Sequence, residues 1–173
     1  MKLPRSLGRI ALEVEGWLEI GCPERALLKM QPLLDTPGSR PLALTLQVRA
    51  LFALDRFAEA LEALDEATLF EHDPDWRDVT EAACRKRLGD LAGAIGCMQR
   101  LLRRSPRSAL GHFNLGCYLA LAGDPEQALD EVSLACGIDE AFRKHLSDES
   151  DLDSLRDDAR FLSLLPGQAE EEG

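Results

Sequence analysis

The sequence predicts an all-α protein built from four tandem helix–turn–helix units, and three observations carry that expectation. First, Leu110 to Ala122 is an apolar-rich stretch with helical spacing that stops at Gly123, and a second helical stretch starts at once with Asp124 and Pro125. Glycine tolerates the left-handed backbone found just past a helix. Aspartate accepts from the orphan N–H groups of the next first turn, proline suits its first position, and Gln127 stands where a capping box places its second partner. Second, this punctuation recurs at a 34-residue step, as Gly123, Gly89, Asp55 and Gly21. Third, Ala128, Ala94, Ala60 and Ala26 fall in phase. They are followed by Leu129, Ile95, Leu61 and Leu27, then by Val132, Met98, Leu64 and Met30. A small residue beside large apolar ones suits two closely crossing helices, the small one admitting the partner backbone and the large ones filling the space alongside.

The elements follow in order. Leu7, Ile10, Val14, Trp17 and Leu18 form an apolar helical face that ends at Gly21, and Trp17 takes the large-apolar position filled by Leu51 and Leu119 elsewhere. Pro23 opens the second helix, with Ala26, Leu27, Met30, Leu33 and Leu34, and Thr36-Pro37-Gly38 marks a turn. Leu42 to Leu54 and Phe57 to Phe70 are the next pair, with Asp55 in place of the turn glycine. The third unit opens at Asp75-Trp76 and closes on Arg103, Arg104 and Pro106, the two arginines complementing the negative end of the helix dipole. After Phe142 the pattern changes. Leu152, Leu155, Phe161, Leu164 and Leu165, spaced by acids, suit a cap over the fourth unit, because a repeat array must cover its terminal face.

Leu115, Gly116, Leu119, Ala128 and Val132 match or conservatively replace five positions of a 34-residue pattern, and Ala82, Ala94 and Pro106 keep three in the preceding unit. On these residues the chain resembles the tetratricopeptide repeat (TPR) family. No repeat carries the opening tryptophan, and Arg85 stands where a large apolar residue is expected. The resemblance implies a right-handed superhelical solenoid of about four repeats, at 7–40, 41–74, 75–108 and 109–142. The segment DLDSLRDDARF resembles the closing element of many bacterial TPR proteins, so a capping helix is expected within 143–166. A single domain then spans 1–166, with 167–173 as a disordered tail.

Bulk properties narrow the function class. At 173 residues, with 45% hydrophobic and 5% aromatic side chains, the chain suits a core of Leu and Ala. No apolar run is long enough to cross a bilayer, and the N-terminus lacks a signal-peptide pattern, so no membrane role and a cytoplasmic location are expected. Five cysteines, odd in number and without a C-x-x-C pair, fit reduced thiols. The net charge of −11 argues against a nucleic-acid partner. Its distribution is uneven: residues 139–173 carry 11 acidic and 4 basic side chains, whereas 75–108 carry 8 basic and 4 acidic. That basic repeat allows an acidic peptide or a carboxylate terminus as ligand.

Catalytic and metal motifs are missing. There is no G-x-S-x-G, P-loop or H-E-x-x-H, and the acid run near 148–158 lacks the ligand alternation and glycine of a calcium loop. His72, His112 and His145 lie apart, and nothing marks an activating base for Cys117. The expectation is a non-enzyme with no cofactor and no metal.

What remains is a binding surface. The resemblance implies that positions 2, 5, 9, 12 and 13 of each repeat line a concave peptide-binding groove. On this chain they include Arg49, Phe52, Trp76, Val79, Lys86, Arg87, Phe113 and Cys117, with Asn114 at position 6 placed to hold a peptide backbone. Aromatic and arginine side chains are where binding energy concentrates. The expected function is a protein–protein interaction scaffold or adaptor, taking an extended or helical segment with apolar and acidic residues. Two alternatives stand beside it: a chaperone for a hydrophobic client, similar in outline to those of type III secretion translocators, and a homo-oligomeric module associating through the apolar groove or the Leu7–Leu18 face.

Overall fold

The computed structural model describes residues 3–67 and 73–166, and every element within them is helical. The expected helix end at Phe70, the residue His72 and the tail 167–173 lie outside the described residues. The chain forms two compact units, Met1–Arg77 and Asp78–Gly173, the boundary falling inside a helix.

In the first unit, α1 (Arg5–Glu19) packs on α2 (Pro23–Lys29), and α4 (Arg40–Ala53) packs on α5 (Phe57–Ala67). The second helix of the first repeat is not continuous: it breaks at Met30 and resumes as the short α3 (Gln31–Leu34). Pro32 accounts for the break, because it has no N–H to donate back and its ring crowds the carbonyl of Leu28. Ala11, Val14, Ala26, Met30, Leu33, Ala43, Leu46 and Ala50 form the core, with Trp17 packed against it and the Arg25 guanidinium 4.7 Å above its ring. Two side chains fasten the start of α4. The buried Ser39 hydroxyl donates to the Leu33 carbonyl at 2.8 Å, and Arg40 bridges the Leu34 carbonyl and the Glu66 carboxylate.

The second unit contains α6 from Asp78 onward (the whole helix is Pro74–Arg87), α7 (Leu91–Arg104), α8 (Ala109–Leu121) and α9 (Pro125–Ile138). Asp90, Ser108 and Asp124 cap the last three, each accepting from the N–H three residues on. Gln127 does not complete a capping box. Its amide donates to the Asp124 carboxylate instead of reaching the backbone N–H. The α8–α9 crossing leaves no room for a side chain at Gly116, where an added Cβ would meet Val132 Cγ2 at 2.6 Å and the Ala128 carbonyl at 3.0 Å. Beyond α9 the chain runs through two 3-10 segments, Glu140–His145 and Ser150–Leu155, into α10 (Ala159–Leu164). Leu146, Leu152, Leu155, Phe161 and Leu164 join the core of this unit. Arg143 donates to the Leu164 carbonyl at 2.9 Å, and Arg156 to the Ser147 carbonyl at 2.9 Å, fastening the segment to itself.

The repeat punctuation appears directly in the backbone. Gly21, Asp55, Gly89 and Gly123 all have positive φ, at 71°, 55°, 81° and 84°. At each turn the following residue donates five positions back: Cys22 to Trp17, Arg56 to Leu51, Asp90 to Arg85 and Asp124 to Leu119. This is the six-to-one bond that closes a helix over a left-handed residue. A Cβ at Gly123 meets nothing within 4 Å, so only the backbone resists a side chain there. Gly123→Ala is therefore expected to lower stability by about 1–2 kcal/mol, read as a lower urea midpoint at unchanged slope.

Candidate functional site

The residues expected to bind a partner fall on α4, α6 and α8, and the structure treats them differently. In the first unit Arg49 is exposed, and Phe52 is half-buried with its ring edge-on to Phe57 (centroids 5.2 Å, planes at 75°). Trp76, also half-buried, lies in the opening turn of α6.

In the second unit Val79 is half-buried against the core, Arg87 is exposed at the end of α6, and Asn114 is half-buried on α8. Phe113 and Cys117 are in the core, 6% and 2% exposed. The Phe113 ring lies 5.0 Å from Phe142, and the 3-10 segment Ser150–Leu155 packs on α8. The Lys86 ammonium is bound by the Asp151 carboxylate. Three of the expected ligand contacts are thus taken up by the chain's own C-terminal segment. Burial, reinforced by the charges of Glu149 and Asp151, pushes the Cys117 thiol far up and so favours its neutral form. On the same face of α8, at helical spacing from Asn114, Leu110 and Leu121 remain exposed.

The basic third repeat has an internal explanation that the sequence reading missed. Asp78 and Glu81, one turn apart on α6, are buried, and α7 meets them with arginines. Arg100 reaches Asp78 at 2.6 Å and Glu81 at 2.7 Å, while Arg104 binds the second oxygen of Asp78. Arg85 joins Glu81 at 2.8 Å to Asp90 at 2.7 Å, and Asp90 caps α7. Arg85 therefore occupies an apolar position of the repeat pattern because it closes an ion network. Burial works to raise the Glu81 carboxyl, but the Arg85 hydrogen bond and the charges of Arg100 and Arg85 outweigh it and hold the group below its ordinary value. The available signal was an acid pair at i, i+3 on one helix and an arginine pair at i, i+4 on the next.

His112 is likewise structural. Its Nδ1 faces the Glu131 carboxylate at 2.5 Å and its Nε2 the Pro106 carbonyl at 3.0 Å, tying the α7–α8 turn to α9. Among the described residues no group of three or more His, Cys, Asp or Glu is placed to hold a metal.

Residues 85–141 match a family model described as tetratricopeptide repeat. That segment is similar to the tetratricopeptide repeat family. Two solved structures share the TPR fold. The MamA RS-1 ArsTM double mutant aligns with a TM-score of 0.73 at 14% identity, covering 94% of this chain and 96% of its own. YrrB, described as a TPR protein with an unusual peptide-binding site, aligns with a TM-score of 0.65 at 15% identity, covering 90% and 80%. No curated protein matches in sequence. Among the described residues no helix is long and apolar enough to cross a membrane.

Proposed function

We propose that the protein is a non-catalytic scaffold or adaptor that binds an apolar segment of another protein on the first helices of its repeats. The observation that carries this is the exposure of large apolar side chains there: Leu110 is 46% and Leu121 43% exposed on α8, flanking Asn114. Water-facing leucines on one helix face cost little to cover and reward a partner that does so. In the first unit the exposed Arg49 and the half-buried Phe52 and Trp76 are further candidate contacts. The description of YrrB as peptide-binding supports the class of ligand. Five free thiols, four of them buried, fit a reducing compartment such as the cytoplasm.

The test captures partners from lysate of the source cell on the immobilised full chain. Leu110→Ala with Arg87→Glu probes the α8 patch, and Trp76→Ala the residues of the first unit. A partner lost from either variant, with helicity unchanged, supports the proposal, and titration should show at least about a tenfold weaker Kd, as expected for removing an anchor. Partners retained by both variants would move the site off these helices. Self-association is the second reading, favoured by Leu12, Ile20 and Leu28 in the first repeat, the last 82% exposed. A mass that rises with concentration and falls to monomer in Leu28→Glu would select it.

A further inference from the structure

We infer that the C-terminal segment 140–155 is a resident ligand in cis, closing the α6–α8 face of the second unit to acidic partners by placing the Asp151 carboxylate on Lys86 and Phe142 on Phe113. The inference rests on the reading that these helix faces bind partners, and it concerns how one of them is regulated.

Covering a repeat array requires only apolar contact, and this segment does more. Its second 3-10 turn packs chiefly on α8, the first helix of its repeat, and less on α9. Phe113 and Cys117, which lie beneath, belong to the helix face that continues outward to the exposed Leu110 and Leu121. The polar contact is built rather than incidental. The Lys86 and Asp151 side chains are 27% and 14% exposed. Glu149 accepts from the Asp151 N–H at 3.1 Å, fixing the turn that presents the Asp151 carboxylate. The segment offers an aromatic ring and a carboxylate to an aromatic ring and an ammonium, which is the chemistry an apolar and acidic partner would bring. Leu152 and Leu155, buried in the core, supply the anchor. A tethered ligand acts at an effective concentration on the order of millimolar, so a competing acidic segment binds weakly until the turn is released.

The test uses the full chain and a labelled peptide of sequence SDESDLDSL, residues 147–155 supplied in trans. In Asp151→Asn the side-chain shape is kept and the charge is lost. Amide exchange across 147–155 is expected to rise roughly fivefold, the scale of one partly exposed ion pair. The peptide should then bind more tightly than to wild type by up to the same factor. Adding Lys86→Met to Asp151→Asn should abolish that gain while leaving exchange fast. The exchanged pair Lys86→Asp with Asp151→Lys should restore slow exchange, which separates charge pairing from loss of fold. Exchange and peptide affinity both unchanged in Asp151→Asn would overturn the inference. So would equal peptide binding with and without Lys86, which leaves the segment a cap and nothing more. A cellular partner lost on Trp76→Ala would still uphold the scaffold reading in that case.

Discussion

Phe161→Ala is expected to cost about 3–5 kcal/mol of stability, the range for removing a buried aromatic side chain. The residue is 1% exposed yet sits on α10, a helix of only six residues that follows two 3-10 segments. So short a helix does not hold itself together in water, since nucleation is costly and few bonds repay it. Its place is therefore set by side chains, with Phe161 and Leu164 inserted in the core beside Leu152 and Leu155. In a repeat array each unit is stabilised by its neighbour, so loosening the closing segment also exposes the α8–α9 layer. Urea denaturation followed by circular dichroism reads the loss. Limited trypsinolysis at the exposed Arg160 should become faster in the variant, because cleavage follows the population of the open form. A change under about 1 kcal/mol would show that the segment lies on the core without completing it.

The repeat register was legible because it is written in residues whose chemistry is local. A left-handed turn closing a helix asks for glycine, or for an aspartate that tolerates the strain, and the four residues found 34 apart adopt that conformation. Asp90, Ser108 and Asp124 act as caps for the same local reason. The binding face was legible only as a set of positions. Helical spacing places Phe113, Cys117 and Leu121 on related faces of α8, but what covers the first two arrives from Phe142 and from Ser150–Leu155, whose path no local pattern specifies. Lys86 was read as a ligand cation because its partner is 65 residues further on. Pro32 is a different case, since its effect on α2 is local and was readable. The arginines of the third repeat were partly absorbed by the helix-dipole argument, which explains a basic last turn but not which carboxylates it meets. That depends on two helices facing each other, a property of packing.

The ion network carries the other large prediction. Asp78→Ala is expected to cost roughly 3 kcal/mol, the low end of the range for breaking a buried ion pair. Asp78 is 1% exposed and accepts from both Arg100 and Arg104. Those arginines are more than a third exposed, so they recover part of their solvation when the carboxylate is removed, which keeps the cost from the top of the range. A double-mutant cycle with Arg100→Met isolates the pair, and a coupling below about 0.5 kcal/mol would mean that the contacts merely coexist. The pH dependence has a definite sign. The Glu81 carboxyl is held below its ordinary value of 4.5, so the folded state releases this proton more readily than the unfolded state does. Its contribution is complete above pH 4.5 and is lost as pH falls below that value towards the depressed one. On the alkaline side burial pushes the Cys84 and Cys97 thiols up from 9.0 to about 11. The unfolded chain then loses those protons first, and stability declines between pH 9 and about 11. Urea midpoints across pH should therefore form a plateau with two shoulders. Glu81→Gln should flatten the acid shoulder while lowering the plateau, because the arginines lose a charged partner. An acid shoulder of equal size in wild type and Glu81→Gln would place the titrating carboxylate outside this network.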